Sequence, residues 1–235
     1  MIVSHELKII FLKTKKVGGT SFEIALAKFC GEDDVITPIT PPDEMTRRQL
    51  GFRSAQNYLN TKWYHHINGQ KIPYAHTKGE FFNHIPASHV KRMVPPEVWN
   101  GYLIVSMVRC PFDAIISRYF WEGAEKTGLT FEKFVEKYPQ LLEENFAITH
   151  IENKSVVQCY LRYEHLEEDI GAFESKIGKR GIWEQFRNIN AKASLRPKVG
   201  TSVEEYFSNA PIATKIVQSR CAYEIATFGY SPRKP

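Results

Sequence analysis

The stretch ELKIIFLKTKKVGGTSFEIALAKF, Glu6 to Phe29, runs from an apolar segment through a basic, glycine-bearing turn directly into a helical pattern. Residues 7–12 read as a short buried strand. From Thr20 onward, Phe22, Ile24, Ala25, Leu26 and Phe29 fit one helix ending near Gly31. The turn between them carries Lys13, Lys15, Lys16, Gly18, Gly19, Thr20 and Ser21. Glycines let the main chain approach a ligand closely and aim amide hydrogens at it. A helix N-terminus adds partial positive charge and N–H donors without intrahelical acceptors. With the hydroxyls of Thr20 and Ser21 and the charge of Lys16, these are the parts of a phosphate cradle. The plain alternative is a solvated turn that happens to carry lysines.

A Walker A loop places its lysine after the last glycine. Here Lys16 precedes Gly18 and Gly19, so the standard kinase or ATPase loop is a poor match. A magnesium-ATP-dependent kinase or nucleotide hydrolase therefore stands as the alternative. It is further disfavoured because GYLIVSMVR, Gly101 to Arg109, the clearest central strand, ends in arginine rather than an acid.

Around these segments the organisation is that of alternating strands and helices, which implies an α/β fold with a central parallel sheet. HIPASHVKRMVPPEVW, from His84, suggests a short helix stopped at Pro95-Pro96. Pro111 sits where a first helical turn accepts proline, ahead of Phe112, Ile115, Ile116, Tyr119 and Phe120 at helical spacing. Residues 130–145 read as one or two amphipathic helices broken at Pro139, and residues 155–166 as a third strand with its exit. One helix is expected from Pro211 to just before Gly229. Residues 32–80 read as long connections with one or two short helices, a substrate-facing insert within a single domain over residues 1–235.

At 235 residues and 43% hydrophobic composition the chain can bury a sizeable core, which sets aside wholesale disorder. Its formal charge of +5 suits an anionic ligand and does not by itself select nucleic acid, for which no standard motif is present. Cys30, Cys110, Cys159 and Cys221 show no metal-ligand spacing and read as reduced, packed thiols. With no signal-peptide pattern and no window of ~18 apolar residues, the expectation is a cytoplasmic protein without a membrane span.

The order strand, Lys16-Val17-Gly18-Gly19-Thr20-Ser21, helix resembles the 5′-phosphosulfate loop of sulfotransferases, especially the carbohydrate (glycan O-) sulfotransferase group, with Lys15 standing where that group usually has proline. VRCPFDAIISRYF resembles the same family's 3′-phosphate element, with Arg109 at the strand end and Ser117 eight residues on. Cys110 replaces a usual Asp or Asn, and Ala114 a frequent second arginine. LRYEHL, Leu161 to Leu166, and NINAKASLRPK, Asn188 to Lys198, resemble later parts of the family more weakly, so that the likeness spans about residues 7–230 without 32–80. The resemblance implies a P-loop-like three-layer α/β/α fold. It also implies 3′-phosphoadenosine 5′-phosphosulfate (PAPS) as sulfuryl donor, the 3′,5′-diphosphate PAP as product, and no required metal. The acceptor it implies is a hydroxyl of a sugar or glycan.

On that likeness Lys16 neutralises charge on the leaving diphosphate, and the amides and hydroxyls of residues 17–21 hold its 5′-phosphate. Arg109 and Ser117 take the 3′-phosphate, bidentately in the case of arginine. Lys192, Ser194 and Arg196 belong to a basic loop expected to cover the nucleotide. His84 holds the place where some glycan sulfotransferases carry a catalytic histidine, and imidazole suits proton abstraction near neutral pH. His89 and Glu23 are the other candidates for the base; His65-His66 could contact substrate.

Overall fold

The apolar run that opens the chain folds as two strands rather than one. In the computed structural model, which describes residues 1–189 and 202–232, β1 (Ile2–Ser4) turns back into β2 (Ile9–Leu12). The turn is tied by Asp34, whose carboxylate accepts from His5 N at 2.6 Å and from Ser4 Oγ and Gly31 N at 2.7 and 2.8 Å. Helix α1 (Gly19–Ala27) follows β2, then β3 (Val35–Ile36), α2 (Pro41–Gln49), β4 (Lys62–Ile67) and β5 (Gln70–His76). Next come α3 (Ala87–Met93), α4 (Pro96–Gly101), β6 (Leu103–Val108), α5 (Pro111–Trp121), α6 (Phe131–Lys137) and α7 (Glu144–Thr149). The hairpin of β7 (His150–Ile151) and β8 (Lys154–Ser155) precedes β9 (Cys159–Arg162), α8 (Leu166–Ile177) and α9 (Ile182–Arg187). Last are α10 (Val203–Ser208), α11 (Pro211–Arg220) and α12 (Ala222–Phe228).

The described residues fall into two compact units, Met1–Met107 with Ala147–Ala191, and Val108–Phe146 with the described part of Lys192–Pro235. The first contains a five-stranded sheet in the order β3-β1-β2-β6-β9. The α/β class is as expected, but the sheet is mixed rather than parallel. β2 and β6 pair in parallel, with Phe11 opposite Val105, whereas β1 runs antiparallel to both β2 and β3. The reason is local: a turn as short as residues 5–8 can only return the chain as a hairpin, since a parallel return needs a long crossover.

Alternation along β2 sends its residues to two cores. Ile9 and Phe11 pack with Phe22 and Leu26 of α1, Ile170 and Phe173 of α8, and Ile182 of α9. Ile10 and Leu12 pack with Val90 of α3, Val98 of α4, Trp63 of β4 and Phe81. Both faces of the sheet are thus covered, as a continuous apolar strand requires.

Residues 32–80 hold more regular structure than their prolines suggest: β3, α2, and a two-stranded β4–β5 hairpin closed by Asn68 and Gly69, both at positive φ. In the second unit α5, α6, α10 and α11 enclose a separate core around Phe112, Ile116, Phe134, Phe207 and Val217. The single C-terminal helix expected after Pro211 is two, divided at Cys221 with φ −111 and ψ 29. Cys30, Cys110 and Cys221 are buried and Cys159 half-buried, each a thiol rather than half of a disulfide. Among the described residues, no helix is long and apolar enough to cross a membrane.

Phe22 is fully buried with its ring centroid 5.1 Å from that of Phe11. Phe22→Ala is expected to lower unfolding free energy by about 3–5 kcal/mol, seen as a reduced urea midpoint with an unchanged m-value.

Candidate functional site

Two left-handed residues shape the turn after β2: Lys16 at φ 63 and Gly18 at φ 77, the latter also the N-cap of α1. A side chain at Gly18 would be strained there, and its Cβ would stand 3.4 Å from the Tyr163 ring. A Cβ on Gly19 would press to 3.2 Å of Lys13 Cγ, so the absence of a side chain is what lets the lysine stem lie under the first helical turn. Phe22 N donates to Gly18 O at 3.4 Å, the first bond of the helix. The N–H groups of Gly19, Thr20 and Ser21 therefore precede the first intrahelical bond, and helix geometry leaves them to an outside acceptor. Lys15, Lys16 and Thr20 are half-buried, and Val17 and Ser21 are buried.

Lys13 is not part of this cradle. Its side chain is 2% exposed and its Nζ lies 2.7 Å from Glu23 Oε2. Glu23, fully buried, also accepts from the Met1 amino group at 2.8 Å and Thr37 Oγ1 at 3.2 Å, with Arg47 Nη2 at 3.7 Å. Burial by itself would raise the Glu23 carboxyl, but Lys13, the Met1 amino group and Arg47 outweigh it and hold it at about 2. A carboxylate so enclosed cannot take a proton from an acceptor, which removes Glu23 as a candidate base. The charge pattern of the turn conceals this, because a lysine used inside the fold and one facing a ligand look alike in sequence.

His84 is brought to the same strand end. Its Nδ1 lies 2.9 Å from the carbonyl oxygen of Lys13, and its main chain is left-handed at φ 60. A carbonyl only accepts, so Nδ1 carries the hydrogen and Nε2 the lone pair. Burial, reinforced by the charges of Lys13, the Met1 amino group and Lys15, pushes the imidazole down to about 4. His84 is therefore a neutral proton acceptor at pH 7. His89 is exposed on α3, His65 stacks on Tyr74 at 3.9 Å, and His66 Nε2 lies 3.1 Å from Asp33.

The turn is further fixed by Thr14 Oγ1 donating to Met107 O at 2.6 Å and Ser106 Oγ donating to Leu12 O at 2.7 Å. These bonds lock the ends of β2 and β6 together, a role for Thr14 that nothing in its sequence context signals. A polar cleft of about 340 Å³, lined by Asp33, Asn57, Asn60, Tyr64 and Lys71 among others, belongs to the other end of β2. Asp33 adjoins Asp34, which caps the turn before β2, whereas the glycine turn follows β2.

In the second unit, Arg109 Nε and Nη2 lie 2.7 and 2.5 Å from Asp113 Oδ2. Ser117, half-buried, follows Asp113 by four residues on α5, so the two share a helical face with the arginine at its head. The Asp113 pairing uses the four-residue spacing that the sequence shows between it and Arg109. Lys192, Ser194 and Arg196 lie outside the described residues.

Taken together, these features define an α/β protein with a left-handed glycine turn between its second strand and first helix. No protein-family model matches the chain, and no solved structure matches it. An uncharacterized protein of Archaeoglobus fulgidus is 30% identical to it over 99 residues, covering 40% of this chain and 82% of that protein. The chain belongs to one family with that archaeal protein.

The neutral form of His84 is favoured by folding, and the unfolded chain takes up the proton first, near its ordinary 6.5. Stability is therefore whole above about pH 6.5 and falls with pH down to about 4. His84→Asn, whose side chain tolerates left-handed backbone, is expected to remove roughly 2–3 kcal/mol of that dependence. Urea titrations between pH 4 and 7 measure it. The Glu23 contribution lies lower, present above about 4.5 and lost as pH falls toward 2.

Proposed function

We propose that this protein is a PAPS-dependent O-sulfotransferase acting on a hydroxyl group, of a sugar or glycan by the family resemblance. The observation that carries the reading is the left-handed Lys16–Gly18 turn at the N-terminus of α1, with His84 hydrogen-bonded to the strand end from which the turn departs. The reading is supported by the left-handed Gly18 at the N-cap and by the first-turn N–H groups, which have no intrahelical acceptor to take them.

PAPS, when bound, supplies the sulfuryl group and a diphosphate leaving group. The amides of residues 18–21 and the hydroxyls of Thr20 and Ser21 hold phosphate oxygens, and the Lys16 ammonium offsets negative charge on the leaving side. His84 Nε2 accepts the proton of the attacking hydroxyl, the Nδ1 hydrogen bond keeping that lone pair available. Arg109 and Ser117 are the 3′-phosphate residues of the resemblance, with Asp113 orienting the guanidinium.

Calorimetric titration with adenosine 3′,5′-diphosphate, run beside ATP with magnesium, tests the reading. Metal-independent micromolar binding of the diphosphate with much weaker ATP binding is expected; preference for magnesium-ATP would replace the sulfotransferase by a phosphotransferase.

Lys16→Ala is expected to abolish sulfuryl transfer in a folded protein, and His84→Asn to abolish turnover while diphosphate affinity stays within threefold. Near wild-type rates in either variant would sink the role given to that residue. Arg109→Ala should weaken diphosphate binding at least tenfold, about 1.4 kcal/mol, in the same calorimetric assay.

A further inference from the structure

We infer that Glu23 is a positioning residue for His84, acting through the side chain and the main-chain carbonyl of Lys13. Three contacts carry this. Glu23 Oε2 holds Lys13 Nζ at 2.7 Å inside the fold, with both side chains at 2% exposure or less. The Lys13 stem runs beneath Gly19. The Lys13 carbonyl receives His84 Nδ1 at 2.9 Å. Lys13 is thus held at its tip by a carboxylate, along its stem by the glycine turn, and at its carbonyl by the imidazole.

The physical coupling follows from the cost of a buried charge. An ammonium enclosed by protein stays there only while a carboxylate compensates it; without one, it costs several kcal/mol and moves toward water. The main chain of Lys13 would then shift, because its stem lies against Gly19 in the first turn of α1. His84 would lose the acceptor that determines which of its nitrogens is protonated, and with it the restraint on a left-handed main chain that is unfavourable for a non-glycine residue. Glu23 never meets the substrate, yet it decides whether Nε2 presents a lone pair or a hydrogen.

The groups that act on His84 electrostatically are Lys13, Lys15 and the Met1 amino group, the last itself pushed down to about 5 by burial. Removal of the Glu23 charge would by itself lower the imidazole pKa further. The protonation midpoint is therefore a poor discriminator, and the tautomer is the useful one. The inference rests on the sulfotransferase reading only for its kinetic consequence.

The test is nitrogen NMR of ¹⁵N-histidine-labelled full-length protein, with His84 assigned by its absence in His84→Asn. Wild type is expected to show a single Nδ1–H tautomer. Glu23→Asp, which keeps the charge but shortens the reach, should lower the tautomer ratio at least threefold, and Glu23→Gln at least tenfold. Lys13→Met combined with Glu23→Gln removes the ammonium that seeks water and should return the ratio to within threefold of wild type. Turnover should follow the same order while adenosine 3′,5′-diphosphate affinity stays within threefold.

An unchanged Nδ1–H tautomer in Glu23→Asp and Glu23→Gln overturns the inference, as does a double variant no better than Glu23→Gln. Should Glu23→Gln fail to fold, Glu23→Asp decides alone. Wild type that binds no diphosphate and transfers no sulfuryl group would remove the functional reading, while the tautomer ratios would still decide the role of Glu23.

Discussion

The ion pair between Lys13 and Glu23 is the constraint on which the first unit depends. It joins the residue after β2 to the first turns of α1, and Arg47 brings α2 to the same carboxylate. A buried pair of this kind is weak evidence of net stability, since two desolvated ions repay little of what their removal from water costs. Its effect is on arrangement. With Lys13 and Arg47 converging on one carboxylate, any packing of β2, α1 and α2 that leaves either uncompensated is penalised by several kcal/mol. The glycine turn is built over this pair, so its geometry is inherited from charges sealed inside the fold.

Much of the architecture was legible because it rests on local physics. The strand–turn–helix around Gly18, the central strand β6, the proline-initiated α5 and the break at Pro139 all follow from apolar period and the backbone chemistry of glycine and proline. Other elements escaped for identifiable reasons. β1 is three residues long, too short for any period, and exists because Asp34 ties its turn from 30 residues away. The division at Cys221 interrupts a continuous helical pattern with no glycine or proline to mark it. The β4–β5 hairpin did carry a signal, the Asn68-Gly69 pair of a two-residue turn, but it was outweighed by the prolines before it.

The candidate site divides in the same way. Residues whose role follows from main-chain geometry, such as Gly18, could be assigned from order along the chain. Residues whose role follows from what they face could not. Lys13 and Lys16 are chemically identical and three positions apart, yet one is sealed against Glu23 and the other stands at a left-handed bend beside the helix start. Only the family resemblance separates His84 from His89 in the sequence; what sets it apart in the structure is the Lys13 carbonyl, 71 residues distant in sequence.

The β4–β5 hairpin has one more property. As a two-stranded sheet it leaves a ladder edge on each side, among the described residues, and Ile67 and Ile72 are exposed near its tip. Such an edge is an invitation to pair with another chain. Pro73 withholds a hydrogen-bond donor from β5, the register shifts between Trp63 and Tyr64, and Lys62, His65, His66 and Lys71 crowd the strands with polar and basic side chains. The hairpin is thus anchored in the fold through Trp63 and made a poor template outside it. So open a sheet depends on those awkward residues as much as on its anchor in the core.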